Sequence, residues 1–146
     1  MVTDRFATAG LVLILANMYP AYMIAFLMLN VLDFCSHWMR MYSCLYRGET
    51  SHKNVDESQN VVLRIYYGNR TVLGLLCLGN EFFYWFLYLA HFHTGPIVFG
   101  SVGLVRLLIY VVSVPFALKQ MTNFIQLWNS ACEIVEFEYQ TEHKHK

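Results

Sequence analysis

Residues 71–105 read TVLGLLCLGNEFFYWFLYLAHFHTGPIVFGSVGLV, and one residue in those 35 positions, Glu81, carries a formal charge. About 20 apolar helical residues cross the ~30 Å of hydrocarbon in a bilayer, so this run crosses and begins to return. A second run, Phe6 to Leu32, has no charged residue at all. The whole chain of 146 residues is 57% hydrophobic, 16% aromatic and 14% charged, with a mean hydropathy of +0.40. A soluble domain carries about 25% charged residues, so this composition excludes one, and it excludes disorder as well. Ten Lys and Arg balance ten Asp and Glu. Nucleic-acid binding, which needs an unbalanced basic face, therefore has no support.

Both apolar runs contain a break. Asn17-Met18-Tyr19-Pro20 interrupts the first: Pro20 lacks an N–H and disfavours helix at Tyr19, which predicts a reversal. His91-Phe92-His93-Thr94-Gly95-Pro96 is a turn signature in the second. Four crossings follow, roughly Met1 to Met18, Ala21 to Met41, Arg70 to His91 and Ile97 to Asn129, giving an all-α polytopic membrane bundle. Residues 1–129 are expected to form the membrane domain and residues 130–146 a polar cytosolic tail. The first crossing is short, since the 13 residues from Phe6 to Met18 cover about two thirds of a bilayer core. The N-terminus lacks the basic start and cleavage site of a secretory signal. Cys35, Cys44, Cys77 and Cys132 are too scattered for a zinc site or disulfide scaffold and read as reduced thiols.

Arg40, Arg47, Lys53, Arg64 and Arg70 form the main basic cluster. By the positive-inside rule that segment and both termini face the cytosol. Trp38, Tyr42, Tyr46, Tyr66 and Tyr67 flank it as an interfacial aromatic belt. Asn30, Asp33, His37 and Arg40 follow i, i+3, i+7, i+10 and share one helix face. Glu81, Tyr84, Tyr88 and His91 repeat the spacing, and Arg106, Tyr110, Ser113 and Gln120 form a third stripe. Ionisable groups at membrane depth mark sites or pairs, so a polar cavity open to the cytosol is expected. The competing reading of Asp33 and His37 is a helix end in the headgroup zone. Glu81 and Arg106, at similar distances from Thr94, are expected to form a structural ion pair across the hairpin. Cys35, His37, Cys44 and His52 match no zinc spacing.

Six pieces in order then carry a resemblance. They are Met1-Val2-Thr3-Asp4-Arg5, Leu32-Asp33-Phe34-Cys35-Ser36-His37-Trp38, Arg47-Gly48-Glu49-Thr50-Ser51-His52-Lys53, Val62-Leu63-Arg64-Ile65-Tyr66-Tyr67, Gly79-Asn80-Glu81-Phe82-Phe83-Tyr84 and the stretch from Gly100 to Arg106. Over residues 1 to about 129 the chain resembles the eukaryotic phosphatidylinositol synthases, within the CDP-alcohol phosphatidyltransferases. The resemblance implies the last four helices of a six-helix membrane fold. Asp4 is similar to the last aspartate of the signature D-G-x2-A-R-x8-G-x3-D-x3-D, whose remainder would lie upstream of Met1.

The implied activity is phosphatidyl transfer from CDP-diacylglycerol to myo-inositol, giving phosphatidylinositol and CMP in phospholipid biosynthesis at the endoplasmic reticulum. Divalent Mg or Mn ions held by the signature aspartates are implied, with Asp4 as catalytic and metal-binding residue. One carboxylate of four does not complete a two-metal site, so the 146 residues alone are expected to be inactive. Asp33, His37 and Arg40, with Lys53 and Arg64 from the basic segment, are the expected inositol-binding residues, since a neutral polyol is held by hydrogen bonds. Expected partners are the two substrates, membrane lipid and a second copy of the chain, without nucleic acid. Two alternatives remain: a non-catalytic membrane protein that binds or regulates an intact synthase, and a small polytopic transporter.

Overall fold

The computed structural model describes residues 2–46, 69–93, 95–99 and 102–144. Four helices account for most of them: α1 (Val2–Met18), α2 (Met23–Tyr46), α3 (Arg70–Phe92) and α4 (Leu104–Lys144). The all-α polytopic architecture is as the hydropathy runs predict. Three segments are long and apolar enough to cross a membrane: Pro20–Tyr46, Thr71–Phe92 and Leu104–Thr141. α1, at 17 residues, is about 25 Å long and falls short of a full crossing.

The predicted reversal is present. α1 stops at Met18, and Pro20–Tyr22 forms one 3₁₀ turn before α2. Proline suits this first helical position because its missing N–H has no partner to lose there. α3 starts where Asn69 caps it, its side chain accepting from the Thr71 N–H at 3.0 Å, which satisfies a donor the helix leaves open.

Two boundaries differ from the sequence pattern. Ile97 does not open the fourth helix: Ile97–Phe99 pairs antiparallel with Val102–Gly103 as two short strands, and α4 begins at Leu104. Gly95, at φ +73°, supplies the left-handed residue ahead of this hairpin. Asn129 is not a helix end either, because α4 continues to Lys144 through 41 residues, about 60 Å.

The packing is polar inside and apolar outside, as suits a bundle solvated by lipid. Ile24, Met28, Leu75, Val111 and Phe124 are exposed, while Ser36, Arg40, Asn80, Lys119, Asn123 and Gln126 are buried. Lipid tails are as apolar as leucine, so interhelical polar contacts and close packing hold such bundles together. Trp38, Tyr42 and Tyr46 are exposed, which suits the expected belt; Tyr66 and Tyr67 lie outside the described residues. A smaller apolar cluster of Val12, Leu15, Ala16, Phe26 and Tyr84 joins α1, α2 and α3, and the Phe83 and Phe116 rings stack at 4.0 Å between α3 and α4.

Gly79 sets how closely α3 approaches α4. A Cβ there would stand 2.6 Å from Pro115 Cβ and 2.7 Å from its Cγ, and a proline ring has no rotamer by which to move aside. Gly79→Ala is therefore expected to cost about 1 to 3 kcal/mol by overpacking. Equilibrium unfolding in mixed micelles checks this, and a cost below a few tenths of a kcal/mol would show that the helices separate freely.

Candidate functional site

Helix direction decides which side chains meet. α1 and α2 are antiparallel across the Pro20 turn, which brings Arg5 to Asp33. α2 and α4 run parallel, with partners about 90 residues apart: Asp33 with Asn123, Ser36 with Gln126, and Ser43 with Glu133. α1 and α3 are also parallel, with Thr8 beside Glu81 and Tyr19 reaching the Leu87 carbonyl.

Arg5 and Asp33 form the centre of the arrangement. Arg5 Nη1 donates to both Asp33 oxygens at 2.9 and 3.0 Å, and both side chains are largely buried. Asn123 Nδ2 donates to Asp33 Oδ1 at 3.1 Å, and Lys119 Nζ donates to Asn123 Oδ1. Asp4 stands 3.9 Å from Arg5 Nη2. One polar network thus runs from α4 through α2 to the first turn of α1. His37 Nδ1 lies 2.9 Å from the Asp33 carbonyl oxygen. A carbonyl only accepts, so that ring nitrogen carries the proton.

Beside this network is a cavity of about 250 Å³ whose polar lining is Asp4, Arg5, Asn80, Glu81 and Lys119, with Cys77 among its further walls. Of its lining, Asp4 is 62% exposed, at the cavity's edge, whereas Lys119 is 1% exposed. Thr8 Oγ1 is 2.7 Å from Glu81 Oε1 and 3.1 Å from the Asp4 carbonyl. One hydroxyl proton serves one acceptor well, and the shorter contact is to the carboxylate. Asn80 Oδ1 accepts from Gln120 Nε2 at 2.9 Å.

The structure redistributes the residues expected from sequence. Asp33, His37 and Arg40 share a helix face but not one cavity. Asp33 is engaged by Arg5 and Asn123, while Arg40 donates to both oxygens of Glu133 at 3.1 and 3.2 Å, where Ser43 Oγ also donates at 2.6 Å. Asp4 does line the cavity. Lys53 and Arg64 lie outside the described residues. The expected Glu81–Arg106 pair does not form: Glu81 is held by Thr8, and Arg106 is exposed. The hairpin strands are the reason. Arg106 is two residues into α4, about 3 Å, whereas Glu81 is eleven residues from the end of α3, about 16 Å. Equal distances along the chain are therefore unequal depths.

Arg5, Asn80, Lys119, Asn123 and Glu133 are participants that the sequence pattern did not single out. A signal existed on α4, where Lys119, Asn123, Gln126, Ser130 and Glu133 follow i, i+4, i+7, i+11, i+14; the first four are buried and Glu133 is partly so. The stripe of Arg106, Tyr110, Ser113 and Gln120 starts too near the helix end to be that seam. Asp4 and Glu81 are two carboxylates at one cavity, but no group of three or more His, Cys, Asp or Glu among the described residues could hold a metal ion. The described residues thus do not complete a two-cation site.

Fold and site together define an integral membrane helix bundle with a charged cavity near the end that carries the start of α1. Comparison with known proteins gives the family. The chain is 46% identical over 131 residues to the human CDP-diacylglycerol–inositol 3-phosphatidyltransferase, covering 90% of this chain and 61% of that protein. It is 47% identical over 132 residues to the Candida albicans protein of the same name, covering 90% and 54%. To a probable CDP-diacylglycerol–inositol 3-phosphatidyltransferase 2 of Arabidopsis thaliana it is 34% identical over 151 residues, covering 99% and 67%. The chain belongs to the CDP-diacylglycerol–inositol 3-phosphatidyltransferase family, and it spans about 61% of the length of the human relative. No family model and no solved structure matches it.

Proposed function

We propose that this chain takes part in phosphatidyl transfer from CDP-diacylglycerol to myo-inositol, and that its charged cavity receives the inositol. The observation that carries the proposal is Asp4. The residue that resembles the last signature aspartate is also the one at the cavity edge, beside a polar lining of both donors and acceptors. In the reaction an inositol hydroxyl oxygen bonds to the lipid-linked phosphorus, the bond from that phosphorus to CMP breaks, and the hydroxyl proton passes to a base. Asp4 is that base in this reading. Arg5 and Lys119 donate to inositol oxygens, Asn80 and Glu81 line the same cavity, and Asp33 holds Arg5 in place. His37 supports Asp33 rather than touching substrate.

By resemblance, Asp4 also stands where a divalent Mg or Mn ion would be held. The described residues do not complete that site, so no step above depends on it. Arg40, Arg47, Lys53, Arg64 and Arg70 favour a cytosolic position for the cavity end of the bundle, and the family resemblance favours the endoplasmic reticulum.

The test is the assembled reaction. The 146 residues are joined to the part of the human relative that the match leaves uncovered, and membranes receive CDP-diacylglycerol, labelled inositol and Mg or Mn. Labelled phosphatidylinositol is expected from the joined protein and little or none from the 146 residues alone, which contain one signature aspartate. Asp4→Asn in the joined protein is expected to lower the rate roughly 100-fold or more, the scale of a lost general base. A joined protein that makes no lipid product, or one indifferent to Asp4→Asn, would overturn the proposal.

A further inference from the structure

The cavity contains a carboxylate, Glu81, for which the signature accounts no further. Thr8 Oγ1 donates to Glu81 Oε1 at 2.7 Å and fixes the side chain against α1. No described residue donates to Oε2. A carboxylate oxygen accepts up to two hydrogen bonds, and bonds to an ionised acceptor are about twice as strong as neutral ones. Glu81 thus offers the cavity a fixed acceptor on the wall contributed by α3.

The charge around the cavity then bears on what enters. Arg5 is matched by Asp33, and Lys119 donates to Asn123. Two carboxylates, Asp4 and Glu81, line the cavity with two cations, Arg5 and Lys119, and Asp33, outside the lining, already neutralises Arg5. A neutral polyol meets both acceptors and donors in this lining at no electrostatic penalty. A phosphorylated polyol brings one to two further negative charges beside Asp4 and Glu81, where low dielectric strengthens repulsion.

We propose that Glu81 is the acceptor-selecting residue of this cavity: its free oxygen receives a hydroxyl of the neutral polyol, and its charge disfavours a phosphorylated one. This rests on the reading that the cavity receives inositol. Thr8 is a positioning residue for Glu81, since its hydroxyl aims the carboxylate without facing the polyol.

The experiment is saturation-transfer NMR on the full 146-residue chain in detergent, with myo-inositol and inositol 1-phosphate as separate probes. The unaltered chain is expected to bind myo-inositol in preference to the phosphate. Glu81→Gln is expected to weaken myo-inositol about tenfold, the scale of one lost hydrogen bond to a charged group, and to narrow or reverse the preference. Glu81→Asp keeps the charge and shortens the reach, so it is expected to weaken myo-inositol while still excluding the phosphate; it also serves if Glu81→Gln fails to fold. Arg106→Gln, on the exposed first turn of α4, is expected to bind as the unaltered chain does. Unchanged affinities and preference in both Glu81 variants, with the unaltered chain binding inositol, would overturn the selecting role and leave the cavity assignment standing. A folded, unaltered chain that binds no inositol would overturn both.

Discussion

Asp33→Ala is expected to destabilise the bundle by about 3 to 5 kcal/mol, the cost of leaving a buried charge without its partner. Arg5 Nη1 gives its bonds to both Asp33 oxygens, and Arg5 Nε is buried with no hydrogen-bond partner among the described residues. The guanidinium cannot shed its charge, because arginine does not deprotonate in proteins. Asp4, at 3.9 Å and largely exposed, is too far and too wet to replace the lost carboxylate. Asn123 would lose its acceptor in the same step. The double change Arg5→Leu with Asp33→Leu is expected to recover most of the loss, since replacing a buried pair by apolar groups is often neutral or better. Unfolding in mixed micelles of the unaltered chain, Arg5→Leu, Asp33→Leu and the double change measures the coupling, with Asp33→Ala followed beside them. If Asp33→Ala costs less than about 1 kcal/mol, water reaches Arg5 freely and the pair is no more than a surface one.

The second large effect belongs to the far part of α4. Arg40 is 2% exposed and donates to both Glu133 oxygens, and Ser43 Oγ donates to Oε2. Tyr46 and Phe137 meet edge to face at 5.1 Å one turn further on. Glu133→Ala removes the carboxylate that Arg40 and Ser43 share, and a loss of about 3 kcal/mol is expected. Glu133→Gln keeps an acceptor oxygen for Ser43 and is expected to cost less. The measurement is a double-mutant cycle on Arg40 and Glu133, with proteolysis after Ser130 followed in parallel. Additive losses in the cycle, or unchanged cleavage, would mean that this part of α4 is held to α2 by its apolar contacts instead.

Both effects depend on pairs far apart in sequence, and this marks where local pattern stopped being informative. Asp33, His37 and Arg40 were readable as one face because 3.6 residues per turn places i, i+4 and i+7 together. That period says nothing about what stands opposite. Arg5 adjoins Asp4 in the chain, yet the antiparallel return through Pro20 delivers it to Asp33. Glu81 and Arg106 stand at similar distances from Thr94 along the chain, but the strands Ile97–Phe99 and Val102–Gly103 take up five positions of the connection. α4 consequently enters late, and Pro115, not Arg106, lies against α3 near Glu81.

From the sequence by itself came the membrane class, the reversal at Pro20 and the likeness to one enzyme family. Each rests on short-range quantities: transfer of apolar residues to hydrocarbon, a missing proline N–H, an ordered run of motifs. Only the tertiary structure decided that Glu81 answers to Thr8, that Arg40 answers to Glu133, and that Asp4, Arg5, Asn80, Glu81 and Lys119 border one cavity. Those partnerships follow from how far each helix is slid along its neighbour, which on α2 and α4 pairs residues about 90 apart in sequence. Such an offset is settled by the sum of contacts along a whole interface, including the close passage at Gly79 and Pro115, and no single segment encodes it.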